Sequence, residues 1–260
     1  AKKYNIELIN KYPKTVFLYN TMGLILSAKS NLDEAEIYYK KGLKLDPRNF
    51  TIYNNLGTLY KLKKDYKKAA LNYEKSIELN KNNPEAYNNF GNLQLLMNKY
   101  ESSILLYKKA IKANKNFYLS DYNLGVVYKS LGNFSESKKY LQRAIKVNKY
   151  FFAAHRNLSQ IIKYKKGDEH LRLLQSIYKD AKITNNSKVE LFYALGKACE
   201  DIKDYRNAFK FYKNGNAEYR HQISYSTNNE KKEFMKIKDF FSKELFNNIK
   251  EKNPNNFSPI

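Results

Sequence analysis

The sequence predicts an all-α protein made of stacked helix pairs, an α-solenoid. Two observations carry that expectation. The segment Tyr53-Asn54-Asn55-Leu56-Gly57 returns 34 residues later as Tyr87-Asn88-Asn89-Phe90-Gly91, and after the same interval as Asp121-Tyr122-Asn123-Leu124-Gly125. Within each copy, large apolar residues recur at spacings of three, four and seven, which is the helical period and not the alternation of a strand. A fixed period of this length marks a repeat array, in which each unit buries its apolar face against the next.

Six repeats start at residues 16, 50, 84, 118, 152 and 189. Outlying copies of the first segment are Tyr19-Asn20-Thr21-Met22-Gly23, His155-Arg156-Asn157-Leu158-Ser159 and Phe192-Tyr193-Ala194-Leu195-Gly196. In the second repeat Tyr53, Leu56 and Tyr60 mark one helix, and Tyr66, Ala69, Tyr73 and Ile77 mark its partner. Ala1 to Pro13 read as the second helix of a truncated earlier repeat. Lys64-Asp65 and Leu131-Gly132-Asn133 are turns between paired helices, and Pro47 and Pro84 punctuate repeat boundaries, where proline suits a helix start. The small Gly57 and Ala69 beside the ring of Tyr73 let paired helices approach closely. The fifth repeat departs from the pattern. Leu171 replaces the usual Ala or Ser, Asp168 is expected to cap the second helix, and Lys182 to Ser187 adds a loop. After Gly215 the repeats stop. Thr227-Asn228-Asn229-Glu230 reads as a capping box, opening a helix with Phe234, Ile237, Phe240 and Phe241 on its apolar face. Ser242 opens a short helix through Leu245 and Ile249, and Asn253 to Ile260 reads as a linker. The expected division is a solenoid over 1–217, with a partial repeat at 1–15, and a helical extension over 218–260.

The period and the Gly/Tyr/Ala/Pro pattern resemble the tetratricopeptide repeat, cleanly over residues 16–149. The resemblance implies a right-handed superhelix of about six repeats, with the first helix of each pair lining a concave face. Counting from each repeat start, positions 4, 7, 8 and 11 are expected between helices. Positions 2, 6, 9 and 13 then form the neighbouring stripe.

Composition excludes several other classes. With 15% aromatic residues the chain is not a disordered tail. Its single cysteine, Cys199, makes no disulfide framework, and no run of 18 apolar residues exists to span a bilayer. No apolar segment follows Ala1-Lys2-Lys3-Tyr4-Asn5, so no signal peptide is read. The chain starts without methionine, which suggests a piece of a longer product, and the cytoplasm is the expected compartment. The net charge of +23 comes mostly from lysine; arginine occurs at Arg48, Arg143, Arg156, Arg172, Arg206 and Arg220. Abundant Lys, Asn, Tyr and Ile are what an AT-rich genome encodes. A nucleic-acid-binding solenoid is the alternative, with Phe17, Tyr122, Tyr164 and Tyr193 offering rings for base stacking; the shortage of arginine argues against it.

The expected binding face carries a column of amides. Position 6 reads Asn55, Asn89, Asn123 and Asn157, flanked by Asn20, Asn54 and Asn88 at position 5 and by Thr58, Asn92 and Gln160 at position 9. One asparagine amide can pair with both the N–H and the C=O of a peptide unit, whatever side chain that unit bears. The column resembles the asparagine ladder inside the tetratricopeptide superhelix of O-GlcNAc transferases, which implies an extended peptide or protein ligand in the groove. Thr21 and Ala194 break the ladder at its ends. Bracing of neighbouring helices is the other use of such a column, and an assembly scaffold without a peptide ligand is the matching alternative function. Charge in the groove is mixed: Lys61, Lys129, Arg156, Lys163 and Lys197 stand against Glu85, Glu190, Glu200 and Asp201. The lysine and asparagine set of a chaperone-tail carboxylate clamp is absent, because position 5 reads Asn20, Asn54, Asn88, Tyr122, Arg156 and Tyr193.

No catalytic or metal-binding constellation is read. His155, His170 and His221 lack metal-ligand spacing, with His155 at a packing position. Cys199 also falls at a buried position, and there is no glycine-rich phosphate loop. The stretch from His155-Arg156-Asn157-Leu158-Ser159 through Tyr164-Lys165-Lys166-Gly167-Asp168 resembles bacterial fusions of tetratricopeptide repeats with a sulfotransferase. So does the stretch from Phe192-Tyr193-Ala194-Leu195-Gly196-Lys197-Ala198 to Gly215-Asn216. That resemblance implies a C-terminal catalytic domain as the chain's own partner. It makes Ser258-Pro259-Ile260 the threshold of the domain's first strand, followed by a loop that binds 3′-phosphoadenosine 5′-phosphosulfate. No cofactor is assigned to residues 1–260 themselves.

Overall fold

A computed structural model describes residues 2–180, 185–223 and 226–241. Among the described residues every regular element is a helix. Helix α1 (Lys2–Lys11) packs on α2 (Val16–Ala28). The pairs that follow are α2 with α3 (Leu32–Leu45), α4 (Phe50–Leu62) with α5 (Tyr66–Leu79), and α6 (Pro84–Leu96) with α7 (Tyr100–Ala113). Next come α8 (Tyr118–Ser130) with α9 (Phe134–Val147), then α10 (Phe152–Ile161), α11 (Glu169–Tyr178), α12 (Asn185–Asp201), α13 (Tyr205–Gln222) and α14 (Thr227–Phe240). Helix α13 runs unbroken through residue 217, the expected boundary of the solenoid. The first helices α2, α4, α6, α8, α10 and α12 each touch the next, whereas α3, α5, α7 and α9 each pack on the first helix of the following repeat. Closer spacing along the first-helix row puts that row on the inside of the curve.

Several helix starts have a local chemical cause. Asn49, Asp65, Asn83, Asn133 and Asp204 accept backbone N–H bonds at the entries of α4, α5, α6, α9 and α13, which satisfies donors the helix itself leaves orphaned. Pro84 occupies the first turn of α6, and Pro47 marks a repeat boundary as expected without itself opening a helix. It follows the C-cap Asp46 of α3, in the connection to α4. The expected capping box at Thr227 is displaced by one residue: Ser226 is the N-cap of α14, and its side chain accepts from Asn229 N at 3.4 Å. Within the expected loop at 182–187, Asn185 already begins α12, and 182–184 lie outside the described residues. The elements expected beyond Phe241 lie outside them too.

The turns inside each pair share a backbone device. Ser30, Lys64, Asn98, Gly132 and Lys203 all have φ between 58° and 75°, and each is the fifteenth residue of its repeat. Left-handed backbone at a non-glycine residue costs about 1–2 kcal/mol. Lys64→Gly is therefore expected to raise stability by about 1 kcal/mol, read as a higher urea midpoint with an unchanged slope.

Packing between paired helices is close. A Cβ built on Gly57 would lie 2.6 Å from the Tyr73 ring, and one on Gly91 would lie 2.6 Å from the Tyr107 ring. Those rings are fully buried. The expected buried set holds in part: position 8 is buried throughout, and position 4 is buried at Asp121, His155 and Phe192. Position 3 (Leu18, Ile52, Ala86, Ala154 and Leu191) is buried, while at position 4 Tyr19, Tyr53 and Tyr87 stay half-exposed. The reason is that each first helix is covered from two sides, by its own partner and by the preceding repeat, and position 3 faces the preceding repeat. A Cβ built on Gly42 of α3, for instance, would lie 2.6 Å from Ile52 Cδ1.

The fifth repeat breaks the pattern. Ser159 replaces the usual glycine and Leu171 the usual small residue, so α10 and α11 lack the close-approach pair. Helix α10 packs chiefly on α9 and α12. It ends three residues earlier in its repeat than α8 does in its own, and the chain runs on irregularly through residues 162–168. Asp168 caps α11 as expected, accepting from His170 N and Leu171 N. A cavity of about 760 Å³ opens between α9, α10 and α11.

Candidate functional site: the first-helix row

The asparagine column lies along the inner row, and most of its amides bond to one another across repeats. Asn55 Nδ2 donates to Asn20 Oδ1 at 2.8 Å, and Asn89 Nδ2 to Asn54 Oδ1 at 3.1 Å. Asn123 Nδ2 donates to both Asn88 Oδ1 (2.9 Å) and Asn92 Oδ1 (3.1 Å). The position-5 amides are acceptors in this arrangement, and Asn54 and Asn88 are buried. Position 9 is engaged as well: Thr58 Oγ1 pairs with Tyr73 Oη, and Asn92 Oδ1 also accepts from Tyr107 Oη at 2.7 Å. These bonds brace successive repeats.

Bracing leaves different amounts of each amide free. An amide has two N–H groups and one carbonyl oxygen. Asn55 and Asn89 each spend one N–H and keep the other together with Oδ1, whereas Asn123 spends both and keeps Oδ1. Asn157 is the most engaged: it spends both N–H groups, on Ala153 O and Tyr122 Oη, and its Oδ1 already accepts from Lys129 Nζ. The sequence did not separate Asn157 from its three counterparts. The difference comes from Lys129, one repeat earlier, which also bonds Gln160 Oε1.

The charged residues divide. Arg156 stands on the row, 4.0 Å over the Tyr193 ring and paired through Nε with Glu190 at 3.3 Å. Lys163 does not belong there, because α10 has already ended. It lies in the following loop and lines the cavity beside α9 and α11. Of the four rings expected to be open for stacking, Phe17 is exposed. Tyr122 packs edge-on against Phe151, Tyr193 lies under Arg156, and Tyr164 is buried. Tyr164 fills the fifth repeat, where its N–H bonds Asp201 and its hydroxyl reaches His170.

The histidines form a feature that the sequence did not reveal. His155 and His170 stack with ring centroids 5.0 Å apart, and His155 Nδ1 lies 2.8 Å from His170 Nε2. The Lys149 carbonyl sits 2.9 Å from His155 Nε2, and the Tyr164 hydroxyl 2.8 Å from His170 Nδ1. Donors and acceptors balance with both rings neutral: His155 gives its proton to Lys149 O and accepts from His170, which accepts from Tyr164. Burial pushes both pKa values down, to about 4, with His155 adding to the effect on His170. No group of three or more metal-ligating side chains occurs among the described residues. Cys199 is buried, and burial raises its thiol to about 11, which keeps it protonated and unreactive.

Comparison with known proteins agrees with this architecture. Tetratricopeptide-repeat family models match residues 18–49, 50–83, 72–104 and 122–151. The chain therefore carries tetratricopeptide repeats, and its fold is a solenoid of that class. Among solved structures, pilF of Pseudomonas aeruginosa superposes with a TM-score of 0.59 at 19% identity, covering 75% of this chain and 88% of that one. PilW, a widely conserved type IV pilus biogenesis factor, superposes with a TM-score of 0.57 at 18% identity, covering 82% and 95%. At these identities the likeness is one of fold. Comparison with curated proteins gives no match. No helix among the described residues is long and apolar enough to cross a membrane.

Proposed function

We propose that this chain is a noncatalytic scaffold that binds an extended peptide segment of a partner protein along the first-helix row. The observation that carries this reading is the unspent hydrogen-bonding capacity of Asn55, Asn89 and Asn123, which recurs at one repeat interval on the inner row. Backbone recognition of this kind tolerates varied side chains. It is tested with a fluorescein-labelled, N-acetylated and C-amidated 12-residue peptide and its backbone N-methylated analogue. Each single Asn→Ala change is expected to weaken binding by at most about tenfold, since one hydrogen bond contributes about 0.5–1.5 kcal/mol net. The Asn55→Ala/Asn89→Ala/Asn123→Ala variant should nearly abolish binding, and the N-methylated analogue should not bind. Because these amides also brace repeats, melting temperature should fall as well. The N-methylated probe, used with the wild type, separates binding from bracing, and equal affinity for both probes overturns the reading.

The finer proposal is that the scaffold precedes a sulfotransferase domain in a cytoplasmic protein and presents an acceptor to it. The support is the resemblance of residues 150–260 to such fusions. In that arrangement 3′-phosphoadenosine 5′-phosphosulfate belongs to the following domain, and no residue of this chain is assigned to it. A Pro-Arg-Ser-Gly-Thr-like loop encoded shortly after Ile260 supports the proposal, and a gene sequence without one refutes it.

A further inference from the structure

The cavity of about 760 Å³ between α9, α10 and α11 marks the place of a missing helical turn. The first repeat boundary shows what such a turn does. There Tyr60, at position 11 of α4's repeat, donates its hydroxyl proton to Glu36, at position 21 of the preceding repeat. Lys63, at position 14, bonds both Glu36 and Asp33, which holds position 18. In α9 positions 18 and 21 are Ser135 and Lys138, and both line the cavity. The turn that would cover them is absent, because α10 stops at Ile161, its position 10, whereas α4 and α8 continue to position 13. Ile162 and Lys165, at positions 11 and 14, fall in the irregular stretch instead. Phe134, at position 17, is consequently 55% exposed, while Tyr66 and Tyr100 at the same position are half-buried. Ile145, Leu158 and Leu173 give the cavity an apolar floor.

We propose that this cavity takes one turn of an amphipathic helix from a partner protein, in the register that Tyr60 and Lys63 occupy on α3. An aromatic side chain then rests on the apolar floor and against Phe134, where it is shielded from water. The residue three positions later, the counterpart of Lys63, faces position 21. That position is Glu36 at the first boundary and Lys138 here, so charge complementarity calls for Glu or Asp in place of lysine. The charged residues of the lining are Lys138, Lys163, Asp168 and Glu169, which cancel. The preference of sign therefore comes from register on α9 and not from net charge. The site belongs to the second-helix side of the solenoid and is independent of the asparagine row.

The test measures fluorescence anisotropy of residues 1–260 with three labelled peptides of about four turns, held helical by a side-chain staple. One carries Tyr followed three residues later by Glu, one has Lys in place of that Glu, and one has Ala in place of the Tyr. The Tyr/Glu probe is expected to bind about three- to fivefold more tightly than the Tyr/Lys probe, the range of an exposed ion pair. The Ala probe should bind about tenfold more weakly or worse, as loss of an aromatic anchor does. Lys138→Glu, a surface change, should invert the order of the first two probes, and Phe134→Ala should weaken both. The extended N-acetylated probe of the asparagine row should not displace any of them. No binding by the helical probes, an Ala probe as tight as the others, or an order unchanged by Lys138→Glu overturns the proposal and leaves the asparagine-row reading standing. Displacement by the extended probe overturns it too, by showing one shared site. Self-association of residues 1–260 that Lys138→Glu abolishes assigns the occupant to a second copy and overturns the partner.

Discussion

Tyr73→Ala is expected to destabilise the solenoid by about 3–5 kcal/mol, the cost of a large cavity in a packed core. Tyr73 is fully buried between α4 and α5, against the Gly57 backbone, and it belongs to the core shared by the first repeats. Burial also lifts its hydroxyl to about 12, so it stays neutral throughout the accessible pH range and pairs with Thr58. The ring and the glycine should be coupled. In the wild type Gly57→Ala places a Cβ 2.6 Å from the ring, and overpacking of that kind costs about 1–3 kcal/mol. In the Tyr73→Ala background the ring is gone, and the higher helix propensity of alanine should make Gly57→Ala neutral or stabilising by up to about 1 kcal/mol. Four urea titrations complete the cycle, and additive effects would show that helix approach does not depend on this contact. Because repeat arrays are coupled chiefly through neighbours, hydrogen exchange should show the loss concentrated in α2 to α7.

Acidification from pH 7 to 4.5 is expected to weaken the C-terminal half through the His155–His170 pair. Both rings are held neutral, with pKa values near 4 against an ordinary value of 6.5. Above pH 6.5 they are neutral in the folded and unfolded states alike and contribute nothing to pH dependence. Below it the unfolded chain takes up protons that the folded chain refuses, so stability falls until the folded pKa is reached, by on the order of 3 kcal/mol for each ring. Asp121 acts in the opposite direction. It is 1% exposed, neither carboxylate oxygen has a hydrogen-bond partner, and Arg143 Nε lies 3.4 Å away. Burial raises its pKa to about 6 despite Arg143. Folding therefore favours its protonated form, and its penalty at pH 7 is relieved as pH falls through 6. Asp121→Asn should accordingly gain about 1–3 kcal/mol at pH 7 and expose the full histidine loss on acidification. His155→Leu/His170→Leu should lose stability at pH 7 yet show a flat or rising profile down to pH 4.5. Glu36, held at about 2 by bonds from Lys40, Lys63 and Tyr60 against the opposing effect of burial, contributes its loss only below 4.5, outside this window. A double-histidine variant that still weakens on acidification as the wild type does would refute the assignment.

The sequence by itself determined the repeat, the helix pairs and the close-approach glycines, because each is written in spacing along one chain. A 34-residue interval and a three-four-seven pattern need no knowledge of neighbours, and Asp168 as a cap depends on residues two and three positions away. Errors of one residue arose where local rules tie, as between Ser226 and Thr227 at the start of α14. Tertiary structure alone decided which amides are spent. Asn55, Asn89, Asn123 and Asn157 are equivalent in the sequence, yet a lysine one repeat away bonds the carbonyl of the last of them. It also decided that Lys163 leaves the row, since that follows from α10 ending at Ile161 and not from the residue itself. The His155–Tyr164–His170 network was hidden for the same reason: its bonds join α10, an irregular loop and α11, and their geometry exists only once Ser159 and Leu171 have kept the fifth pair from closing in the regular way. Hydrogen bonds between side chains of different repeats depend on ångström-scale placement, whereas the hydrophobic periodicity that sets the fold depends only on which face of a helix a residue occupies.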